Sequence, residues 1–474
     1  MRKDVSQFNG QWKVSEKDQL EILLLYSNLS YRTPGGLTLA QMNANPKQAR
    51  PATAALPSAI EQQAGVYNKS LFAGLTNTYQ FSDQWKNVST VIFNKTDFEN
   101  PFITNYEKRE ESGIGLRTRF SWTKDWGGHS LNWTIGGEWQ LGNAGIDSTG
   151  NIKGVPDNNL VHNDFKSVQQ FIYTQLEWTI AKKLLIQAGL SLNNFNYNLE
   201  RTIPQGVPAK LDYDNQLLPR IAALYKIGEQ VSLHASMSKG YSAPTLAEIR
   251  PSAGGIHSDL QAEYGWNYET GIKGQALHSR LHFDLALFSF NLENAIVRRT
   301  NSAGAEYFIN AGGTKQQGVE ISADWYAINR NDGLFRQLRL WTAASIFDFT
   351  FSDYKVNSND YSGNDLTGVP SEVILAGADL SLSPGIYFNL TFNYTSSIPL
   401  TDQNDVYSQP YRLWHCRIGW KKKWKNGWAT DLFAGVDNAA DELYSLGNDI
   451  NAFGRRYYNP AADRNYYGGL RFSF

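Results

Sequence analysis

Two patterns repeat along this chain, and together they leave few folds open. The first is an alternation with period two. Ile172, Thr174, Leu176, Trp178 and Ile180 alternate with Tyr173, Gln175, Glu177 and Thr179. Leu184, Ile186, Ala188, Leu190 and Leu192 form a second apolar series, Leu281, Phe283, Leu285 and Leu287 a third, and Phe388, Leu390, Phe392 and Tyr394 a fourth. Successive side chains of a strand point to opposite faces, so each run predicts a strand with one apolar face, long enough to cross a bilayer at a tilt. The second pattern lies in the connections, where short and long ones alternate. Residues 15–18, 82–84, 126–129, 181–183, 227–230, 383–385 and 425–427 are turn sequences, as in Trp126-Gly127-Gly128-His129 and Ser383-Pro384-Gly385. Between them lie long polar stretches at 33–67, 142–164, 201–214, 242–263 and 352–369.

Short turns at one end and long loops at the other predict an all-β fold, a transmembrane antiparallel β-barrel of the outer membrane of a Gram-negative bacterium. A soluble sandwich or propeller has no need of that asymmetry. The composition agrees. Mean hydropathy is -0.44, and no apolar run reaches the roughly 18 residues of a membrane-spanning helix. The 25 Tyr, 24 Phe and 14 Trp suit the aromatic girdles of a barrel. A net charge of -1 gives no basic footprint, so nucleic acid is not an expected partner. Cys416 is the single cysteine, which excludes a disulfide framework or a thiolate metal cluster. The final segment places Tyr466, Gly468, Leu470, Phe472 and Phe474 on one strand face. A strand ending on an aromatic residue resembles the ending of bacterial outer-membrane barrels, where it is an assembly signal. That resemblance implies Phe474 as the signal and the barrel assembly machinery as a partner.

Counting strands between turns gives about 19. The first turn is short and therefore periplasmic, so the first strand, at about residues 5–14, runs inward. A single-chain bacterial barrel has an even strand number and both termini periplasmic. The expectation is that an odd number of strands is missing before Met1. The opening Met1-Arg2-Lys3-Asp4-Val5 has no apolar core of a signal peptide.

Three stretches resemble the C-terminal barrel of TonB-dependent outer-membrane receptors. The first is Ser238-Lys239-Gly240-Tyr241-Ser242-Ala243-Pro244-Thr245-Leu246-Ala247-Glu248, followed by Leu260-Gln261-Ala262-Glu263 and Tyr268-Glu269-Thr270-Gly271-Ile272-Lys273-Gly274, with Ala262 where the family has proline. The second is Phe308-Ile309-Asn310-Ala311-Gly312-Gly313 with Gln317-Gly318-Val319-Glu320. The third is Gly435-Val436-Asp437-Asn438-Ala439-Ala440-Asp441-Glu442, then Tyr457-Tyr458-Asn459-Pro460 and Arg464-Asn465-Tyr466. Here Ala439 replaces leucine, and Ala461-Ala462-Asp463 stands for a single glycine. Thr33-Pro34-Gly35-Gly36-Leu37-Thr38-Leu39-Ala40-Gln41, with Pro46-Lys47-Gln48-Ala49-Arg50, resembles receptors of the ferric-citrate and related siderophore type. The family has an N-terminal plug inside a barrel of roughly 22 strands. The resemblance therefore implies that residues 1–474 are a partial barrel domain, entering near the fourth strand, with the plug, the first strands, the signal peptide and the TonB-contacting box absent.

What the resemblance implies is uptake of a ferric siderophore or similar ligand. The ligand is bound by outer loops and upper lumen, and transport is energised by TonB through the plug in the full-length protein. Ferric chelates are often anionic and carry ring systems, so Arg and aromatic side chains near the outer strand ends are the candidate ligands' contacts. They are Trp139, Tyr264, Tyr354, Tyr361, Tyr407, Tyr411, Arg455 and Arg456. The competing reading is girdle or loop packing for the aromatics, and a lumen salt bridge or a lipopolysaccharide contact for the arginines. Outer-membrane lipid and lipopolysaccharide are the expected surroundings. His257, in the loop after Pro244-Thr245-Leu246, is a poor haem ligand without a partner. No cofactor, resident metal or enzymatic nucleophile motif is expected. A passive porin, and a truncated receptor without transport, remain as alternatives.

Overall fold

The computed structural model describes residues 1–54, 56–206, 208–251, 256–300, 306–356, 358–424 and 427–474. Its long strands are β1 (Arg2–Lys13), β2 (Asp18–Arg32), β3 (Gly65–Gln80), β4 (Trp85–Pro101), β5 (Asn105–Trp126), β6 (His129–Ile152), β7 (Val161–Ile180), β8 (Leu184–Ile203), β9 (Ala209–Lys226) and β10 (Val231–Ser242). They continue with β11 (Glu263–Ala276), β12 (Leu281–Glu293), β13 (Gly313–Asn329), β14 (Phe335–Asp353), β15 (Glu372–Leu382), β16 (Ile386–Thr395), β17 (Tyr411–Lys423), β18 (Ala429–Asp437) and β19 (Asn465–Ser473). Among the described residues the main sheet counts 20 strands, these and the two-residue piece Val155–Pro156 beside β6. Two short helices, α1 (Leu39–Ala44) and α2 (Leu246–Ile249), sit in connections.

The chain divides into two compact units, Met1–Leu37 with Lys47–Ala222 and Ser238–Ala262, and Thr38–Pro46 with Ala223–Met237 and Glu263–Phe474. In the first, β1 to β8 pair each with the next, all antiparallel. In the second, β11 to β19 do the same.

In both units the apolar face of the strands is the exposed one. Ile172 is 65% exposed, Leu190 42% and Leu287 48%. On the other face the charged Glu138 is buried and hydrogen-bonded to Arg117 and Gln140. A water-soluble sheet does the reverse. Exposure of the apolar face is what lipid contact requires. At the turn end of this face Trp85, Trp122 and Trp133 stand in one register row. Trp85 lies 6.4 Å from each of the other two rings, which makes an aromatic girdle.

The turns follow from local chemistry. Gly127 and Gly128 take φ of 50° and 85° and close the pair Trp126↔His129. A two-residue turn with both φ positive matches the twist of the strands and favours glycine. Residues 425 and 426 of the expected turn at 425–427 lie outside the described residues. Two further short turns, at 277–280 and 330–334, are ones the sequence reading passed over. The first places Leu277, His278 and Ser279 at positive φ without a glycine, so it carries no turn signal. The second does carry one, Asp332-Gly333.

Two of the expected long loops are mostly strand. β6 continues to Ile152 and β7 begins at Val161, while β8 runs to Ile203 and β9 begins at Ala209. The ladder of peptide hydrogen bonds needs no apolar side chain. Above the lipid a strand can be polar on both faces, and the period-two signal disappears there. The stretches at 33–67, 242–263 and 352–369 do depart from the sheet, and they carry α1, α2 and a two-residue hairpin at Lys355–Val356 and Asn359–Asp360.

A charge placed on the exposed apolar face should be costly, and one on the opposite face should not. We expect Ile172→Arg to destabilise the folded protein by about 2–4 kcal/mol and Gln175→Arg by much less. Urea titration of the protein refolded into vesicles reads both.

Candidate ligand-binding site

In the second unit the connections condense around one carboxylate. Asp402 is 2% exposed and faces Arg299 at 3.2 Å. Its oxygens accept hydrogen bonds from the Tyr354 hydroxyl at 2.7 Å, the Thr367 hydroxyl at 2.6 Å and Asn451 Nδ2 at 2.9 Å. Its backbone N–H donates to Asn451 Oδ1 at 3.1 Å, and its carbonyl accepts from Asn364 Nδ2 at 2.7 Å. Asn451 Nδ2 also reaches the Arg298 carbonyl at 3.1 Å. Four connections are therefore tied to one buried anion. A buried charge is tolerable only when paired and hydrogen-bonded, and this one is both. Burial pushes the Tyr354 hydroxyl pKa up, and the charge of Asp402 adds to the shift.

Three of the eight sequence candidates come together here. Tyr354 and Tyr361 are buried, with ring centroids 5.2 Å apart, in a cluster with Ala311 and Phe351. The guanidinium of Arg299 lies 5.5 Å and 5.6 Å from the two rings. Gln403 Nε2 donates to the Tyr361 hydroxyl at 3.3 Å. Tyr407 is tied to the same connections through its hydroxyl, which donates to Asp365 at 3.0 Å. These tyrosines hold the connections in shape, and Tyr354 and Tyr361 have little surface left for a ligand. Tyr411 opens β17 and packs on Tyr444 at 4.8 Å.

Arg456 is half-buried, donates to Gln41 Oε1 at 3.0 Å, and so clips α1 to the segment that carries Tyr457 and Tyr458. Gln41 also closes the helix start. It accepts from the Thr38 N–H at 3.1 Å, and its own N–H donates to Thr38 Oγ1 at 3.3 Å. Met42 of α1 then packs against Leu400, Tyr457 and Tyr458. Thr38-Leu39-Ala40-Gln41 is a capping box, a signal available in the sequence and not used there. Arg455 stands exposed with φ of 56°, next to Phe453, which is also exposed. Phe453 is a candidate contact the sequence reading missed.

The remaining two candidates lie elsewhere. Tyr264 is on β11 opposite Glu293, which its hydroxyl contacts. Trp139, in the first unit, shares the exposed apolar face of β6 with Trp133 and Ile135. That placement is the one the competing reading of interface packing describes. The terminal Phe474 is almost fully exposed, and its ring lies 5.8 Å from that of Trp428.

The first unit contributes a concavity that no sequence signal marked. It has a volume of about 620 Å³ and lies on the polar face of β3 to β8. Phe72, Phe165, Phe195 and Tyr197 supply rings, Asn94, Gln140 and Gln169 supply amides, and Leu246 of α2 borders it. Glycines make the room. A Cβ on Gly113 would stand 2.4 Å from Asn94 Oδ1, and one on Gly142 2.6 Å from Ser167 Oγ. Glu111 is the one charged group of the lining, and it pairs with Arg109 at 3.3 Å. Rings and neutral amides around a hollow can pack on and hydrogen-bond a polar organic ligand. α2 is set by a second capping box, in which the Thr245 N–H donates to the Glu248 carboxylate at 2.6 Å.

Removing the anion at the centre of the second unit's network should loosen all four connections together. Asp402→Ala leaves Arg299 without its partner, and we expect a loss of about 3–5 kcal/mol, measured by urea unfolding. Asp402→Asn, which keeps most of the hydrogen bonds, should cost less.

Comparison with known proteins agrees with this architecture. The ferric citrate transporter FecA in its unliganded form superposes with a TM-score of 0.82 at 16% identity, covering 99% of this chain and 70% of that one. The siderophore receptor PiuA from Acinetobacter baumannii gives a TM-score of 0.73 at 13% identity, covering 98% and 72%. The ferric yersiniabactin uptake receptor FyuA from Yersinia pestis gives 0.71 at 14%, covering 96% and 68%. At such identities the likeness establishes the fold alone. In sequence, the ferric-pyoverdine 358 receptor of Pseudomonas putida is 26% identical over 161 residues, which is 32% of this chain and 19% of that receptor's length. The family model for the TonB dependent receptor-like β-barrel matches residues 10–439. With that match over most of its length, the chain belongs to the TonB-dependent receptor β-barrel family.

Proposed function

We propose that this chain is the barrel part of an outer-membrane receptor that takes up ferric siderophore complexes. Coupling to TonB runs through a plug domain outside these 474 residues, and the barrel assembly machinery reads the terminal strand at Phe474. The named relatives of the family handle ferric citrate and ferric siderophores, and they are receptors and transporters, not enzymes. The observation that carries the reading is the pairing of an exposed apolar strand face with a ring- and amide-lined hollow on the opposite, polar face. In a barrel fold the first face meets lipid and the second lines the lumen.

Ligand capture then has two supports. The lumen hollow supplies rings for the chelate's organic part and amides for its carbonyl and hydroxyl groups. The exposed Arg455 supplies a cation for an anionic complex, since Arg pairs well with carboxylates. The connections tied to Asp402 are already ordered, so binding need not spend free energy on arranging them. No covalent chemistry is involved.

The test is quenching of tryptophan fluorescence in the refolded protein, titrated with ferric citrate and with ferripyoverdine. Saturable quenching by at least one complex is expected. Gly142→Leu, which fills the hollow, and Phe195→Ala, which removes a ring, should each weaken it roughly tenfold, with circular dichroism showing that each variant still folds. Steady ion conductance in a planar bilayer, with no ferric complex bound, would replace this reading with that of a porin.

A further inference from the structure

We propose that the hollow of the first unit is a charge filter. The complex it accepts is an electroneutral ferric chelate, in which singly charged groups such as hydroxamates hold the iron. The proposal rests on the uptake reading above and adds to it the charge class of the complex.

The alternation of the sheet sorts the charges of this region. The row that forms the floor of the hollow is Phe72, Asn94, Gly113, Gly142, Ser167 and Tyr197. The neighbouring row, Lys95, Ser112, Asn143 and Lys166, is displaced by one residue on each strand. Its side chains therefore stand on the opposite face, and Lys108 follows the same parity. The lysines of these strands are thus turned away from the hollow, and among the described residues no Lys, Arg or His lines it.

The charges that border the hollow are already paired with one another. Glu111, in the lining, meets Arg109 at 3.3 Å. Arg109 also reaches Glu107 at 3.1 Å, and Glu107 holds Arg250 at 3.0 Å. Toward the turns Arg117 pairs with Glu138, which also accepts from Gln140. Each carboxylate in this set has a guanidinium partner, so no positive charge is left over for a ligand. The remaining walls are rings and neutral amides. A ring face carries the negative pole of the aromatic quadrupole.

Iron(III) sets the charge arithmetic. Three singly charged bidentate groups cancel the charge of the metal, whereas three doubly charged catecholates leave a strongly anionic complex. An anion entering this hollow gives up its hydration and meets Glu111 and ring faces with no cation in return. A neutral chelate packs its apolar surface on the rings and hydrogen-bonds its carbonyl and amide groups to Asn94, Gln140 and Gln169. The lining thus selects by what it refuses as much as by what it holds. Arg455 belongs to the second unit and is not part of this lining.

Quenching of tryptophan fluorescence in the refolded protein tests the filter, with ferrichrome as the neutral tris-hydroxamate and ferric enterobactin as the anionic tris-catecholate. The parent should bind the neutral complex roughly tenfold or more tightly than the anionic one, with an affinity that added salt leaves unchanged. Gln169 is exposed on this face, so Gln169→Lys adds an ammonium group without repacking the wall. It should tighten the anionic complex roughly tenfold and move the neutral one little. Gln169→Glu, of the same size, should not tighten the anionic complex, and circular dichroism checks that both variants fold. Equal affinity of the parent for the two complexes overturns the filter, and so does a preference that Gln169→Lys leaves unaltered. A folded barrel that binds neither complex, nor any other ferric chelate, overturns the uptake reading along with it.

Discussion

The peptide hydrogen-bond ladder between neighbouring strands is the interaction on which everything else depends. Lipid offers no partner for an N–H or a carbonyl, so each crossing strand must be paired along its whole length. The pairings from β1 to β8 and from β11 to β19 meet that demand with few shifts of register. With the backbone satisfied internally, side chains are free to segregate by face, and they do so opposite to a soluble sheet. The hydrophobic effect then acts between the strands' outer face and lipid, not on a packed centre. The buried apolar clusters are accordingly small and lie with the connections and the outer ends of strands.

Order beyond the lipid has a different source. In the second unit it comes from Asp402, whose burial is stabilising only while Arg299, Tyr354, Thr367 and Asn451 all keep their places. Short capping-box helices extend the same principle, each using one side chain to satisfy a helix start and another to dock it. Arg456 and Met42 dock α1, and Ile249 docks α2. Connections ordered in this way would, on the function proposed above, lower the conformational cost of capturing a ligand.

How much of this was legible beforehand differs between strand and loop. The strands were readable because lipid imposes a period of two over the membrane, as at Ile172 to Ile180 and Leu184 to Leu192. Where β6 to β9 rise above the lipid that constraint ends, and polar strand looked like loop. Turns with glycine or proline were readable and the turn at 277–280 was not, since Leu277, His278 and Ser279 adopt positive φ for the sake of the strands they join. Among the site candidates, aromatic identity alone could not separate a residue on the exposed strand face such as Trp139 from a loop-core residue such as Tyr354.

The sequence by itself determined the class of fold, its membrane character, the position of most turns and the family. All of these are local or periodic properties that a chain carries regardless of how it closes. Only the tertiary structure decided what meets what: that Asp402 gathers residues from 299 to 451, that Gly113 and Gly142 open a hollow beneath four rings, and that Lys95 and Lys166 share one row. Cross-strand register brings together residues tens to hundreds of positions apart, and no spacing within the chain records it.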